Sequence, residues 1–182
     1  YNFDAFTGDP YLDTLDMESP AAYIAGVAFK PNRQWLFEVD GKYYTWSDTD
    51  GYGDFDWDDQ FVIAAGVQFM PTDKIALRGG FNWGENPVNE HNGWDPMGVT
   101  NLQGKQVPTM GYEMMRIIGL PAVVESHLTC GIGYWITDSI HVNFDYMHAF
   151  EETISETSAG NMFELESSLY ENSYSFSLGW TF

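Results

Sequence analysis

YSFSLGWTF, residues 174–182, closes the chain. Large apolar side chains stand at Tyr174, Phe176, Leu178, Trp180 and Phe182, with Ser175, Ser177, Gly179 and Thr181 between them. Successive side chains of an extended segment point to opposite faces, so this spacing predicts a strand with one apolar and one polar face. Chain ends are usually polar and frayed. Strict alternation up to a terminal aromatic predicts a strand held down at its last residue.

Six more stretches carry the same pattern: AAYIAGVAFK (21–30), QWLFEVDGKYYTW (34–46), QFVIAAGVQFM (60–70), IALRGGFNW (75–83), HLTCGIGYWI (127–136) and IHVNFDYMHAF (140–150). Each is about ten residues long, the length a tilted strand needs to cross a bilayer. Helical periodicity is nearly absent. The connections alternate in length. Pro31-Asn32-Arg33, Pro71-Thr72-Asp73 and Asp138-Ser139 read as tight turns. The segments 48–59, 85–123 and 151–170, with the leader 1–18, read as long loops. Short turns on one rim and long loops on the other are the pattern of an outer-membrane barrel.

Charge sorts the same way. The 182 residues hold 27 acids against 7 Lys and Arg, a formal net charge of -20. The leader and the three long-loop regions (1–19, 48–59, 85–125, 151–171) carry 22 of the 27 acids, while Lys30, Arg33 and Lys74 lie at the short-turn rim. Nucleic acid is excluded as a partner, because binding phosphates needs basic patches. A single cysteine, Cys130, permits neither an internal disulfide nor a cysteine-based metal site, and reads as a small apolar strand residue. No stretch has the ~18 apolar residues of a membrane-spanning helix. No signal peptide or initiating Met stands at Tyr1, so residue 1 reads as a processed end or an internal cut.

Alternation alone does not say which face meets what. Three further features favour lipid outside and water inside. The loops are asymmetric. Aromatic residues form two groups: Phe29, Trp35, Phe69, Trp180 and Phe182 near the short-turn rim, and Tyr43, Trp46, Phe61, Trp83, Phe150 and Tyr174 near the long-loop rim. The polar face holds Glu38, Asp40, Lys42, Arg78, His141 and Asp145, which a dry core would bury at several kcal/mol each. The fold class is therefore all-β, an antiparallel transmembrane β-barrel with seven strands in this chain.

Three stretches in order resemble the FadL/TodX family of hydrophobic-compound transporters. They are PNRQWLFEVDGKYYTWSD (31–48), DDQFVIAAGVQFMPTDKIALRGGFNWGENPV (58–88) and LPAVVESHLTCGIGYWITDSIHVNFDYMHAF (120–150). The terminal Phe182 likewise resembles the assembly signal of bacterial outer-membrane proteins. The resemblance covers roughly residues 20–182. It implies that residues 1–182 are the C-terminal half of a fourteen-stranded barrel, with the N-terminal plug and first strands absent. It also implies passage of long-chain fatty acids or other hydrophobic compounds across the bacterial outer membrane, with no enzymatic activity and no cofactor. The implied partners are outer-membrane lipid and lipopolysaccharide, a hydrophobic small molecule, and the missing N-terminal half. The alternative is a structural or surface-interaction barrel without a transport role.

Candidate sites follow from the residues themselves. MGYEMMRIIGLPAVV (110–124) is an apolar run inside a long loop. Met114, Met115, Ile117, Ile118 and Leu120 are expected to form a short helix that captures hydrophobic substrate, the alternative being packing within the loop. Glu38, Asp40, Lys42, Arg78 and Asp145 are expected to form a cross-strand ion network that braces the lumen, the alternative being a direct role in passing substrate. SDTDGYGDFDWDD (47–59) lacks EF-hand spacing and reads as a solvated acidic loop, the alternatives being weak Ca²⁺ binding or divalent bridging to lipopolysaccharide; no metal site is assigned. Ser126 and His127 point to opposite strand faces, and no nucleophile elbow exists, so no catalytic residue is assigned.

Overall fold

The computed structural model describes residues 15–120 and 123–181. Phe182, most of the leader 1–18, and Pro121-Ala122 of the Leu-Pro-Ala motif lie outside the described residues.

Seven antiparallel strands form one sheet, each beside the next in chain order. They are β1 (Ala22–Phe29), β2 (Trp35–Tyr44), β3 (Gln60–Thr72), β4 (Ile75–Gly84), β7 (Ser126–Trp135), β8 (Ile140–Thr157) and β9 (Glu164–Trp180). A small separate hairpin, β5 (Val99–Leu102) with β6 (Lys105–Pro108), lies within the longest loop. The turns are tight for identifiable reasons. Asn32 Oδ1 accepts from the backbone N–H of Gln34 and Trp35 at 2.8 and 3.0 Å. Thr137 Oγ1 does the same for Ser139 and Ile140 at 3.2 and 3.1 Å.

Cross-strand register keeps the two faces distinct. One inner row runs Glu38, Gly66, Gly80, Thr129, Met147, Ser173. An outer row runs Val27, Val39, Ala65, Phe81, Leu128. Among the described residues no second layer covers the outer face. Val27 is 73% exposed and Phe176 72% exposed. Each such side chain left in water forfeits about 1.5–3 kcal/mol, and so large a continuous apolar face fits lipid. The Trp35 ring stacks on Phe69, centroids 4.4 Å apart, at the short-turn rim.

β1 and β9 stand at the two edges of the sheet and do not pair with each other. Both run toward the short-turn rim.

The hydrophobic core lies beyond the long-loop rim rather than inside the sheet. Phe55, Trp57, Val88, Trp94, Val107, Tyr112, Ile117, Val123, Ile154 and Leu165 bury one another there. The long loops thus make a packed cap.

Two expectations are corrected. The segment 151–170 is not a loop: β8 and β9 continue past the rim as a hairpin that turns at Ala159–Asn161. Between Ala149↔Glu171 and Glu152↔Leu169, β8 carries one extra residue. This bulge reverses which β8 positions face inward, so even-numbered Ile154 and Glu156 are buried in the cap beside Leu165. Trp46 belongs to the cap instead of the outer aromatic ring. It follows β2 in a 3-10 turn and packs edge-on against Tyr52 and Trp57, centroids 4.7 and 5.2 Å away.

Candidate functional site

The inner wall and the cap together form the candidate site. On the wall, Glu38, Asp40, Lys42, Arg78 and Asp145 share the inner face, as the alternation requires. Among the described residues no ion pair joins these five. Register explains this. Glu38 stands between Ala28 and Gly66, Asp40 between Gly26 and Ala64, and Lys42 between Ile24 and Val62. Each charged residue therefore faces neutral residues across its strands. Arg78 instead donates through Nε to Gln68 Oε1 at 2.9 Å and through Nη1 to Asn143 Oδ1 at 3.1 Å. Asp145 accepts from Ser175 Oγ at 3.3 Å.

The polar side chains lie flat along the wall because glycines make room for them. A Cβ on Gly131 would fall 2.1 Å from Asp145 Oδ1, and one on Gly26 would fall 1.8 Å from Asp40 Oδ1. A Cβ on Gly179 would fall 2.1 Å from the His141 ring. Glu38, Gln68, Arg78, Thr129 and Asp145 line a concavity of about 550 Å³ on this face. Gly131→Ala should push Asp145 off the wall and cost about 1–3 kcal/mol. Urea unfolding from lipid vesicles measures this, and Gly131→Ala/Asp145→Ala should recover most of the loss.

In the cap, Thr109–Met114 is α-helical and Met115–Gly119 continues as a π-helical turn. Its apolar side chains divide. Ile117 is buried in the cap core, and Met114, Met115 and Leu120 pack partly against that core. Ile118 faces out, half exposed. Other apolar side chains that the sequence did not single out are exposed on the cap: Met97, Val99, Met162 and Phe163. The Phe163 ring lies parallel to Trp94, centroids 6.5 Å apart, and so stands beside the loop that carries Met97.

The helix also carries charge inward. Arg116, fully buried, donates through Nε to Glu113 Oε2 at 2.9 Å. It also meets Glu156 Oε1 and the Asn89 carbonyl. Glu156 Oε1 accepts the His91 backbone N–H at 2.7 Å, and the His91 ring stands between Asp56 and Glu113. Tyr112 donates its hydroxyl to the Asp54 carbonyl at 2.9 Å, and burial pushes its pKa up to about 12. These contacts join the two long loops and the β8 extension at one node. The sequence offered one signal for it: Glu113 and Arg116, at helical i,i+3 spacing inside an apolar run.

Neither a protein-family model nor a curated protein matches the chain. Solved structures do. The Pseudomonas putida toluene transporter TodX is similar at a TM-score of 0.58 and 15% identity, over 95% of this chain and 36% of that one. A Pseudomonas aeruginosa FadL homologue is similar at 0.58 and 13%, over 88% and 35%. A TodX deltaS2S3 mutant, a monoaromatic hydrocarbon channel, is similar at 0.60 and 16%, over 90% and 36%. The chain thus spans about a third of the length of these proteins, and over that span it has the antiparallel β-barrel fold of TodX and the FadL homologue.

Proposed function

We propose that this chain forms part of a bacterial outer-membrane channel for hydrophobic compounds, long-chain fatty acids among them, together with strands that complete its barrel. The observation that carries this reading is the contrast between wall and cap. The wall sets Glu38, Asp40, Lys42, Gln68, Arg78 and Asp145 among small and aliphatic residues. The cap, on the acidic long-loop rim, exposes Met97, Val99, Ile118, Met162 and Phe163. An apolar solute leaving the polar lipopolysaccharide layer meets adaptable thioether and aromatic surface first. The fold shared with a toluene transporter supports the substrate class.

The test is uptake of labelled fatty acid and labelled toluene by vesicles holding the purified protein. Ile118→Asp with Met162→Asp should lower uptake at limiting substrate about tenfold, the scale of one or two lost apolar contacts, with assembly unchanged. Unaltered uptake in the double variant would remove the capture role. An inactive but correctly assembled wild type would favour a surface-interaction barrel.

A further inference from the structure

We propose that His91, Glu113 and Glu156 bind a divalent transition-metal cation of the zinc class, which fastens the long loops of the cap to one another. The three residues come from distant segments: the loop after β4, the cap helix and the β8 extension. One ligand atom from each lies within 4.8 Å of the others. Glu113 and Glu156 are 3% and 0% exposed.

Three details separate this cluster from an ordinary acidic surface. The first is a histidine ring set between two carboxylates. His91 Nε2 lies 2.7 Å from Asp56 Oδ2, which holds that nitrogen as an N–H donor. Nδ1 faces Glu113 Oε1 at 3.3 Å, and a carboxylate oxygen only accepts, so either a second ring proton or a bound cation lies between them. The second is the division of the carboxylate oxygens. Arg116 is engaged by Glu113 Oε2 and Glu156 Oε1. That leaves Glu113 Oε1 turned to His91, and both Glu156 Oε2 and Arg116 Nη2 are buried with no hydrogen-bond partner. The third is charge. The buried Glu113 and Glu156 face a single guanidinium, an excess of one negative charge, and the exposed Asp56 carboxylate behind His91 adds a second.

One imidazole nitrogen and two carboxylates make a zinc-type ligand set. The nitrogen ligand disfavours Ca²⁺ and Mg²⁺. Asp56 supplies the carboxylate behind the histidine that fixes its tautomer and strengthens it as a ligand.

The experiment is calorimetric titration of the chelator-stripped full-length protein in detergent with Zn²⁺, in millimolar Ca²⁺ to occupy exposed carboxylates. One Zn²⁺ per chain should bind saturably. His91→Ala should weaken binding more than about 100-fold and Asp56→Asn about 10- to 100-fold. His91 is only partly buried, so His91→Ala is expected to keep the cap fold, checked by its proteolysis pattern without metal. Absence of saturable Zn²⁺ binding, or equal affinity in His91→Ala, would overturn the proposal. So would ¹⁵N spectra showing both His91 ring nitrogens protonated at saturating Zn²⁺, because a proton would then fill the gap. Uptake assays read the transport proposal separately, since metal content does not depend on substrate passage.

Discussion

Arg116→Leu is expected to open the cap while leaving the membrane strands assembled. Arg116 is fully buried and is the cation in contact with both Glu113 Oε2 and Glu156 Oε1. Without it, two buried carboxylates lose their compensation. Breaking a buried pair from one side costs about 3–5 kcal/mol, far more than the intact pair is worth against an apolar replacement. The loss should fall on the cap, because among the described residues the node's hydrogen bonds and ion pairs reach the loops and the β8 extension and none reaches the lipid-facing rows. Hydrogen exchange of the chelator-treated protein is the measurement. Amides of the helix and of 152–169 should exchange about a hundredfold faster or more. Amides of β2, β3 and β4 should not change. Adding Glu113→Gln and Glu156→Met should return much of the protection, because the stranded charges are then gone. Equal acceleration in cap and barrel would mean that the two fold as a single unit.

Val39→Arg is expected to cost about 2–4 kcal/mol of folding into a bilayer, and Glu38→Gln almost nothing. Val39 sits midway along β2 on the outer face, half exposed beside Val27 and Ala65. An arginine there meets hydrocarbon at the depth where charge is most costly in a barrel. Glu38, one residue earlier, faces the watered interior between Ala28 and Gly66. The two positions are adjacent in sequence, so length, strand and rim are all held constant. Reversible folding into lipid vesicles reads both. A small cost at Val39 with a large one at Glu38 would invert the assignment of faces.

Strand content was legible because period-2 alternation is a local signal, kept along nearly the whole of each lipid-facing strand. The seven segments from Ala22 to Trp180 follow from their own residues. The β8–β9 extension was not legible. The extra residue near Phe150 breaks the period, so Ile154 and Leu165 look like isolated apolar residues in a polar loop. The lumen residues were legible as a face but not as a network. Facing was set by alternation, whereas pairing was set by a register that places glycine and alanine opposite the charges. The cap helix was legible in outline. Which of its residues point inward depended on contacts from 88, 94 and 154, and no local pattern carries those. His91 and Glu156 lie 65 positions apart, and only the folded loops bring them together.

The shared direction of β1 and β9 acts as a parity rule on assembly. Two copies of this sheet standing the same way up would meet edge to edge with strands running parallel. Antiparallel meeting would require one copy inverted, which would set its acidic cap on the opposite side of the membrane. A complement that closes the sheet by antiparallel pairing alone must therefore contribute an odd number of strands, with both of its outermost strands running from the short-turn rim toward the cap.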